Sequence, residues 1–265
     1  MSPGDSLPAE PLAKIGVLVT RPIQQSDRLM QRLRALGARP LLFPALEIAG
    51  VNQPERLGLL LAGVERYDWL LFVSPTAAEY GLDALRQAGS AAAAMRINTA
   101  AVGSATAAAL GAAGMPEVVA PESGNDSEHL LALPEFADMR GRRVLIFRGE
   151  GGRELIAATL RDRGAQVDYA ECYRRVCPDS DPQPLRRALA DGQIQAVTAF
   201  SGETLDNLLT LAGEAARQIL RALPLFVPHP RIAEQARALG FALPMLTESG
   251  ESGVLAGLVE YFRHD

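Results

Sequence analysis

Small, hydroxylic and arginine residues follow several apolar runs of strand length, at the points where the strands of a parallel sheet would end. These loops lead into helices, whose first turns carry free backbone N–H groups and a partial positive charge. Several such helix N-termini facing one cleft would bind a polyanion. The candidate binding residues are Thr20, Arg21, Ser74, Thr76, Gly103, Ser104, Thr106, Arg148, Gly149, Ser201, Gly202, Thr204 and His229.

Ordinary helix capping is the simpler interpretation of any single loop, because serine and threonine precede helices in many proteins. We favour binding for the set as a whole, since Arg21 and Arg148 recur at equivalent places in the chain. Lys14 is the only lysine, so nearly all positive charge comes from arginine. Compositional bias explains most of this, although a guanidinium is also well suited to holding carboxylates in a bidentate fork.

The usual cofactor and nucleophile motifs are missing from the sequence. No P-loop is present, and the glycine-rich run at residues 149–152 lacks the final glycine of a dinucleotide fingerprint. There is no nucleophile elbow and no acidic cluster for Mg²⁺. Two cysteines, Cys172 and Cys177, and three scattered histidines form no metal-ligand pattern. We therefore expect no metal and no cofactor, and a mechanism based on orientation, proton transfer and electrostatics.

Composition excludes other classes of protein. A net charge of −5 argues against general nucleic-acid binding, and no apolar stretch has the length of a transmembrane helix. Residues 1–14 lack the basic and apolar regions of a signal peptide and are expected to be a loose tail. A cytoplasmic location is the default expectation, and a disulfide is not expected there.

The chain is an internal duplication with an offset of 127 residues. Ile15–Pro22 falls on residues 142–149, and Trp69–Ser74 falls on residues 196–201. Gly37 meets Gly164 under the same shift. With one residue deleted, residues 122–124 meet the identical Glu-Ser-Gly at 248–250. The order of these matches and their near-constant offset indicate a repeat.

Each half reads as alternating strands and helices, the pattern of a doubly wound parallel sheet with helices on both faces. In the first half, residues 17–19 form a predicted strand, and a helix over 26–36 stops at Gly37. A strand over 69–73 precedes Ser74, a predicted N-cap, and Pro75 at the first helical position. Further strands are predicted at 97–102 and 144–147, and further helices end at Gly114 and Gly164.

The domain boundary has two solutions. A tandem repeat suggests a cut near Asp138, but two long extended segments, Arg39–Val51 and Gln166–Pro178, could instead run side by side as a connector. The chain would then cross between lobes twice, and the first βαβ unit would join the last third of the chain. Both options remain open from the residues alone.

Several motifs in order resemble the uroporphyrinogen-III synthase family, over nearly all of Ile15–Phe262. They are LVTRP, FPALEI, YDWLLFVSPTAAEYGLDAL, AVGSATAAALGAAG, VLIFRGEGGRELIAATLRDRGAQVDYAECYRR and AFSGETLDNLL. The resemblance implies an α/β fold of two similar lobes, each a doubly wound parallel sheet flanked by helices, joined by a two-stranded connector. It implies a first lobe at 14–44 plus 178–265, a second at 51–168, and connector strands at 45–50 and 169–177.

The same resemblance implies a reaction. The substrate is hydroxymethylbilane, a linear tetrapyrrole with eight carboxylates, which loses water and closes into uroporphyrinogen III with its ring D inverted. Similar proteins are monomers that use no metal or cofactor and bind neither nucleic acid nor membranes. Tyr173 matches the family tyrosine that follows the second connector strand. A phenol is protonated at neutral pH and can donate a proton to the departing hydroxyl, although Tyr173 could instead simply pack the connector.

One departure from the repeat concerns His229. The first half has Val-Gly-Ser-Ala-Thr at 102–106, whereas the second has Pro-His-Pro-Arg-Ile at 228–232. The prolines stiffen this loop and the hydroxyl is lost, so His229 either replaces a backbone contact or does nothing.

Two rival functions are also kept: a two-lobed hinged protein that binds a small ligand, and an α/β transferase that uses a nucleotide or a sugar.

Overall fold

Apolar runs of strand length become the strands of two separate parallel sheets. The computed structural model describes residues 10–124 and 126–263. One unit, unit 1, contains the chain up to Glu47 and from Val176 onward, and unit 2 is Ile48–Arg175. The chain therefore passes from one unit to the other twice. The predicted α/β fold with two parallel-sheet lobes flanked by helices is confirmed.

The strands of both sheets are β1 Gly16–Val19, β2 Arg39–Leu42, β3 Glu47–Ala49, β4 Trp69–Phe72, β5 Asn98–Ala101, β6 Val118–Val119, β7 Arg143–Gly149, β8 Gln166–Val176, β9 Ala196–Thr198, β10 Pro224–Val227 and β11 Leu243–Leu246. The helices are α1 Asp27–Ala35, α2 Pro54–Ala62, α3 Pro75–Gln87, α4 Ala91–Ala94, α5 Ser104–Ala112, α6 Ser127–Leu131, α7 Leu155–Asp162, α8 Gln183–Ala190, α9 Gly202–Ala212, α10 Glu214–Ala222, α11 Pro230–Ala238 and α12 Gly250–Phe262.

Unit 1 is built on a five-stranded sheet in the order β11-β10-β9-β1-β2, with parallel neighbours throughout. Side chains alternate between its two faces, as the pleat of a strand requires. Leu18 packs into a core with α8, α9 and α11, whereas Val17 and Val19 pack into another with α1 and α12. Both faces are thus covered by helices.

Unit 2 has a six-stranded sheet in the order β3-β8-β7-β4-β5-β6. Phe72 of β4 and Phe147 of β7 stack at 4.4 Å between ring centroids on the face that α3 covers. Leu71 and Ile146 point to the opposite face, where α7 packs. Because both faces are buried, these strands read as continuous apolar runs rather than alternating ones.

The two sheets exchange parts of the repeat. Under the 127-residue offset β1 and β2 correspond to β7 and β8, and β4 corresponds to β9. In the structure β1 of the first repeat pairs with β9 of the second, and β7 of the second repeat pairs with β4 of the first. Each unit therefore combines the beginning of one repeat with the remainder of the other.

Local sequence signals set the ends of many helices. Ser74 and Ser201 accept hydrogen bonds from backbone N–H groups in the first turns of α3 and α9. Gly37 and Gly164 follow α1 and α7 with φ of +86° and +93°, a left-handed conformation that glycine adopts without strain. These signals hold the loops at the carboxyl ends of the strands in defined positions.

The predicted connector segments coincide with two strands of the unit 2 sheet. The second segment, 169–177, falls largely within β8, which is continuous over 11 residues and whose first part pairs with β7. On the other side it is next to β3, which covers part of the first predicted connector strand. The prediction of a loose tail over 1–14 is wrong for its last residues. Leu12 is buried in the unit 1 core, and its backbone N–H donates a hydrogen bond to the carbonyl of Leu36. Residues 1–9 lie outside the described part.

Candidate functional site

A cavity of about 290 Å³ in unit 2 lies at the carboxyl ends of β4 and β7. It is lined by four of the predicted site residues, Ser74, Arg148, Gly149 and Tyr173. A larger cavity of about 670 Å³ lies between α2 and β8 and contains none of the four. We place the candidate site in the smaller one, because ligands of parallel sheets bind at the carboxyl ends of strands.

Tyr173 reaches this cavity through a bulge in β8. The pairing of β7 with β8 runs from Arg148 opposite Glu171 directly to Gly149 opposite Tyr173, so one residue of β8 is skipped. As a result Cys172 and Tyr173 both pack in the core that contains Phe72 and Phe147, although the side chains of neighbouring strand residues normally point to opposite faces. The bulge turns the phenol toward the strand ends.

Gly149 makes room for the phenol ring. A Cβ atom at position 149 would lie 2.6 Å from the ring of Tyr173, closer than van der Waals contact permits. The backbone N–H of Glu150 donates to the carbonyl of Tyr173 at 2.8 Å, which fixes the end of β7 against β8. The predicted Gly149 is therefore a packing requirement of Tyr173.

The hydroxyl of Tyr173 lies 3.4 Å from the hydroxyl of Ser74, and either oxygen can donate. Ser74 also caps α3 by accepting from the backbone N–H of Ala77 at 3.0 Å. The ring of Tyr80 packs on that of Tyr173 with centroids 5.7 Å apart. A phenol held by packing, with a serine hydroxyl beside it at a helix N-terminus, is arranged to donate a proton to a ligand in the cavity.

Arg148 is held by acidic partners within unit 2. Its two terminal nitrogen atoms donate to Glu154 at 2.8 Å and to Glu171 at 3.0 Å. The guanidinium also stacks on Tyr169, 3.5 Å from the ring centroid, and its side chain is only 10% exposed. The structure thus uses this arginine to tie the loop after β7 to β8, beside the Tyr173 cavity.

The charges of this network support one another. Burial lowers the pKa of Arg148, but its hydrogen bonds to Glu154 and Glu171 outweigh that effect and leave the pKa raised. The hydrogen bonds from Tyr169 and Arg148 lower the pKa of Glu154. Burial and then the bond to Glu154 raise the pKa of Tyr169. At neutral pH Arg148 and Glu154 are therefore charged, and the phenol of Tyr169 is neutral.

Cys172 lies behind Tyr173 and is chemically inert. Burial raises the pKa of its thiol to about 12, and its Sγ–H donates to the carbonyls of Arg148 and Ala77. A thiol that stays protonated is not a nucleophile at neutral pH. The neighbouring Tyr173 is thus the better candidate for chemistry.

The other predicted residues of unit 2 lie at two helix N-termini. Thr76 is half-buried in the first turn of α3. Gly103 caps α5 through its backbone carbonyl, which accepts from Thr106 at 3.0 Å, and Ser104 is exposed at the first helical position. Thr106 is buried, so its hydroxyl belongs to the interior.

Thr20 and Arg21 end β1 of unit 1 in different roles. The hydroxyl of Thr20 is fully buried and donates to the carbonyl of Thr198 at 2.7 Å, so it joins β1 to β9. Arg21 lies over the ring of Phe200 at 4.6 Å and pairs with Glu251 at 3.2 Å. Arg21 faces the strand-end edge, whereas Thr20 is part of the sheet.

The remaining candidates of unit 1 cap helices. Ser201 caps α9 and its hydroxyl is 2.7 Å from that of the buried Thr204. Gly202 allows Gln235 to approach, since a Cβ there would lie 1.7 Å from the amide oxygen of Gln235. The exposed His229 caps α11, accepting from the backbone N–H of Arg231 at 3.2 Å. His229 thus caps α11 with its side chain, whereas Gly103 at the equivalent position caps α5 with its backbone alone.

Sequence reasoning missed the partners of Arg148. Tyr169 and Glu171 are two residues apart in β8, and this period-2 spacing was the available signal that they share one face of the strand. Glu154, at the start of α7, is brought close to Arg148 only by the fold.

In the described ranges, no group of three or more His, Cys, Asp or Glu side chains is placed to hold a metal ion. No helix there has the length and apolarity to cross a bilayer.

The structure thus has a duplicated parallel α/β fold with a buried phenol at a strand-end cavity. A family model described as uroporphyrinogen-III synthase HemD matches residues 27–248. Because this match covers most of the chain, the protein belongs to the uroporphyrinogen-III synthase family, a family of hydro-lyases. The resemblance seen in the sequence is thereby confirmed.

Individual relatives agree with this assignment. The uroporphyrinogen-III synthase of Escherichia coli (strain K12) is 33% identical over 242 residues, which cover 91% of this chain and 98% of that protein. The enzyme of the same name from Salmonella typhimurium (strain LT2) is 32% identical over 244 residues, again with 91% and 98% coverage. Both alignments extend over nearly the whole of each protein.

Two solved structures share the fold at lower identity. A mutant uroporphyrinogen III synthase from the bacterium Thermus thermophilus matches with a TM-score of 0.63 and 21% identity, covering 95% of this chain and 100% of that one. The uroporphyrinogen-III synthetase of Helicobacter pylori 26695 gives a TM-score of 0.65 at 11% identity, with 93% and 99% coverage. These likenesses support the architecture and leave the roles of individual residues to the geometry above.

Proposed function

We propose that this protein converts hydroxymethylbilane into uroporphyrinogen III with loss of water, and that Tyr173 donates the proton that the departing hydroxyl needs. The observation that carries the role of Tyr173 is its phenol in the unit 2 cavity, 3.4 Å from the hydroxyl of Ser74. Membership of the uroporphyrinogen-III synthase family supports the overall reaction.

The proton donor acts at the first step. The terminal hydroxymethyl group of the linear substrate loses its hydroxyl as water once that oxygen is protonated, and an azafulvene cation remains. Tyr173 is 2% exposed, so its phenol approaches the leaving oxygen where little water competes. Ring closure later releases one proton, which balances the one that the phenol gave up, and the hydroxyl of Ser74 can relay it back to the phenolate.

Ring inversion is a problem of orientation. The cation closes without help onto the free carbon of ring D, which gives the type I isomer. The enzyme has to hold the chain so that the substituted carbon of ring D attacks instead, through a spiro intermediate. A cavity of about 290 Å³ is at the lower limit for a small-molecule site, so it would hold one end of the tetrapyrrole and fix its direction.

Carboxylates of the substrate would be held at strand ends. Helix N-termini offer backbone N–H groups to anions, and α3 and α5 begin at the carboxyl ends of β4 and β5 in unit 2. Among the predicted residues there, Ser74 and Thr76 are half-buried and Ser104 is exposed. No added cofactor is required in this scheme; a monomeric state and a cytoplasmic location stay predictions.

Tyr173→Phe tests the proposed donor. We expect kcat to fall by roughly a hundredfold or more, because general acid catalysis is worth about 10²–10⁴-fold, less what water restores. The fold and the preference for the type III isomer should be kept. The assay follows freshly made hydroxymethylbilane and separates the oxidised ring isomers by chromatography, without added cofactor.

The matched control is Tyr261→Phe in unit 1, where the ring packs edge-on against Phe226 at 5.7 Å. It removes one phenol hydroxyl from a residue that does not line the unit 2 cavity, and it should leave kcat unchanged. Full kcat in folded Tyr173→Phe would remove the donor role. Chiefly type I product from that variant would mean that Tyr173 orients the substrate, and no type III product from the unaltered protein would refute the reaction.

A further inference from the structure

Three arginines of unit 1 surround a single carboxylate. Arg21 contacts one oxygen of Glu251 at 3.2 Å, and Arg28 and Arg32 lie 3.8 and 3.7 Å from the other. Arg32 also donates to the hydroxyl of Ser252 at 3.0 Å. Three guanidinium groups and one carboxylate leave a local formal charge of +2.

The cluster lies at the edge of the sheet where ligands bind. Arg21 follows β1, Arg28 and Arg32 are in the first two turns of α1, and Glu251 is in the first turn of α12. The helix α1 follows β1 and α12 follows β11, so both begin at the carboxyl ends of strands. Parallel α/β sheets bind ligands at this edge.

Two of the three arginines lie near the carboxylate without forming a hydrogen bond to it. The oxygen of Glu251 that faces Arg28 and Arg32 is buried and has no hydrogen-bond partner among the described residues. Arg21 is held in place by Phe200 beneath it, and its side chain is 23% exposed. Burial lowers the pKa of Arg21 more than Glu251 raises it, so a second carboxylate beside it would be favourable.

The geometry points to a carboxylate-binding site formed by Arg21, Arg28 and Arg32, in which Glu251 competes with a carboxylate of the bound tetrapyrrole. This inference rests on the proposed function, because that function supplies a substrate with many carboxylates. Arginine suits the role, since its planar fork binds carboxylates bidentately. The side chain of Arg28, 80% exposed, is free to turn toward a ligand.

A purely structural role makes the opposite prediction for one variant. If Glu251 only fastens α12 to α1, then Glu251→Gln weakens the site and lowers affinity for the substrate. If Glu251 competes with the substrate, the same variant frees the arginines and raises affinity. The sign of the change therefore separates the two roles.

The experiment compares four variants by two measurements, KM for hydroxymethylbilane and the dissociation constant of uroporphyrin III. Uroporphyrin III is the stable, fluorescent, oxidised form of the proposed product and keeps its eight carboxylates. We expect Glu251→Gln to lower both constants about two- to fivefold and Arg28→Gln to raise both by a similar factor, as for single exposed charge pairs. In both variants kcat should stay unchanged.

Matched controls carry the same charge changes outside the cluster. They are Arg34→Gln, an exposed residue of α1, and Glu234→Gln, an exposed residue of α11. Both should leave KM and the dissociation constant unchanged. An effect of Arg28→Gln no larger than that of Arg34→Gln overturns the site, as does unchanged or weaker binding in folded Glu251→Gln.

Failures of the two proposals look different. Absence of type III product from the unaltered protein refutes the proposed reaction, whereas the contrast between variants in uroporphyrin binding still tests the arginine site. Thermal unfolding of each variant checks the fold. If Glu251→Gln does not fold, the comparison of Arg28→Gln with Arg34→Gln decides, because both positions are exposed.

Discussion

The two units differ most where the repeat makes them equivalent. Subtracting the 127-residue offset from Tyr169, Glu171 and Tyr173 of unit 2 gives positions 42, 44 and 46, which are Leu, Pro and Leu in unit 1. These three polar positions of β8 are thus apolar in the other unit. Duplication preserved the sheet order, while these polar side chains occur in one copy only.

The matching arginines differ in the same way. Arg148 has two carboxylates around it, Glu154 and Glu171, whereas Arg21 shares the single carboxylate of Glu251 with two further arginines. One environment is rich in anions and rigid, and the other is rich in cations. Equivalent residues therefore do not imply equivalent roles, and our proposals assign a proton donor to unit 2 and an anion-binding site to unit 1.

The largest effect is expected from Gly149→Ala, which makes the room for Tyr173 too small. Unit 1 has Pro22 at the equivalent position and no tyrosine to accommodate. The new methyl group would lie 2.6 Å from the ring of Tyr173 and displace it. We expect kcat to fall about a hundredfold or more and stability to fall by about 1–3 kcal/mol through overpacking. Steady-state kinetics and urea unfolding measure the two effects.

Gly111→Ala is the control for this substitution. It lies in α5 of the same unit, and a Cβ there meets nothing within 4 Å. It should leave kcat unchanged and stabilise the helix by roughly 0.5–1 kcal/mol. A Gly149→Ala variant as active as Gly111→Ala would show that the position of Tyr173 does not matter.

Arg148→Ala should have a smaller effect, and one that differs from that of its counterpart. Its guanidinium is already paired, so we expect kcat to fall about tenfold through loosening of the cavity wall, with KM little changed. Stability should fall by about 1–3 kcal/mol, because the hydrogen bonds and the stacking on Tyr169 are lost. The charge pairing itself contributes little to this loss, since the two carboxylates are partly exposed to solvent.

Arg21→Ala is the matched variant for Arg148→Ala and should instead raise KM with kcat retained, because it removes binding common to the ground state and the transition state. From the sequence alone both variants are expected to raise KM more than they lower kcat. Equal kinetic patterns for the two variants would contradict the division of roles between the units.

The smallest effect concerns Cys172, which has Ala45 as its equivalent in unit 1. Burial raises the pKa of its thiol to about 12, so it remains a thiol at pH 8 and should not react with iodoacetamide in the folded protein. The exposed Cys177 should react. Mass spectrometry of the labelled peptides, with and without urea, checks this, and labelling of Cys172 without urea would show that the bulge opens.

Elements with local signals were predictable from the sequence. The strand over 69–73 corresponds to β4, and the cap Ser74 and the helix stops Gly37 and Gly164 are where the residues indicated. These features depend on near neighbours in the chain, through capping bonds and left-handed glycine. The repeat then extended each assignment from one half to the other.

Features that depend on distant contacts were not predictable. The bulge at Cys172 arises from pairing with β7 and has no marker of its own in the sequence. Thr20 was predicted to face a ligand, yet its hydroxyl bonds to Thr198, 178 residues away. In unit 1 the chain leaves the strand conformation between β2 and β3, whereas the equivalent residues of unit 2 continue as β8. Pro44 lies in this interval, and a proline cannot donate a ladder hydrogen bond.

The exchange of repeat halves between the sheets has a consequence for synthesis on the ribosome. Unit 2 is one continuous stretch, with β4 and β7 paired from Trp69 to Val144, 75 residues apart. In unit 1, Val17 of β1 pairs with Ala196 of β9, 179 residues apart. Closing the longer loop costs only about 0.8 kcal/mol more. The delay is the larger consequence, because β1 and α1 emerge first and must wait for their partners, keeping apolar surface available to chaperones until β9 and β10 have left the exit tunnel.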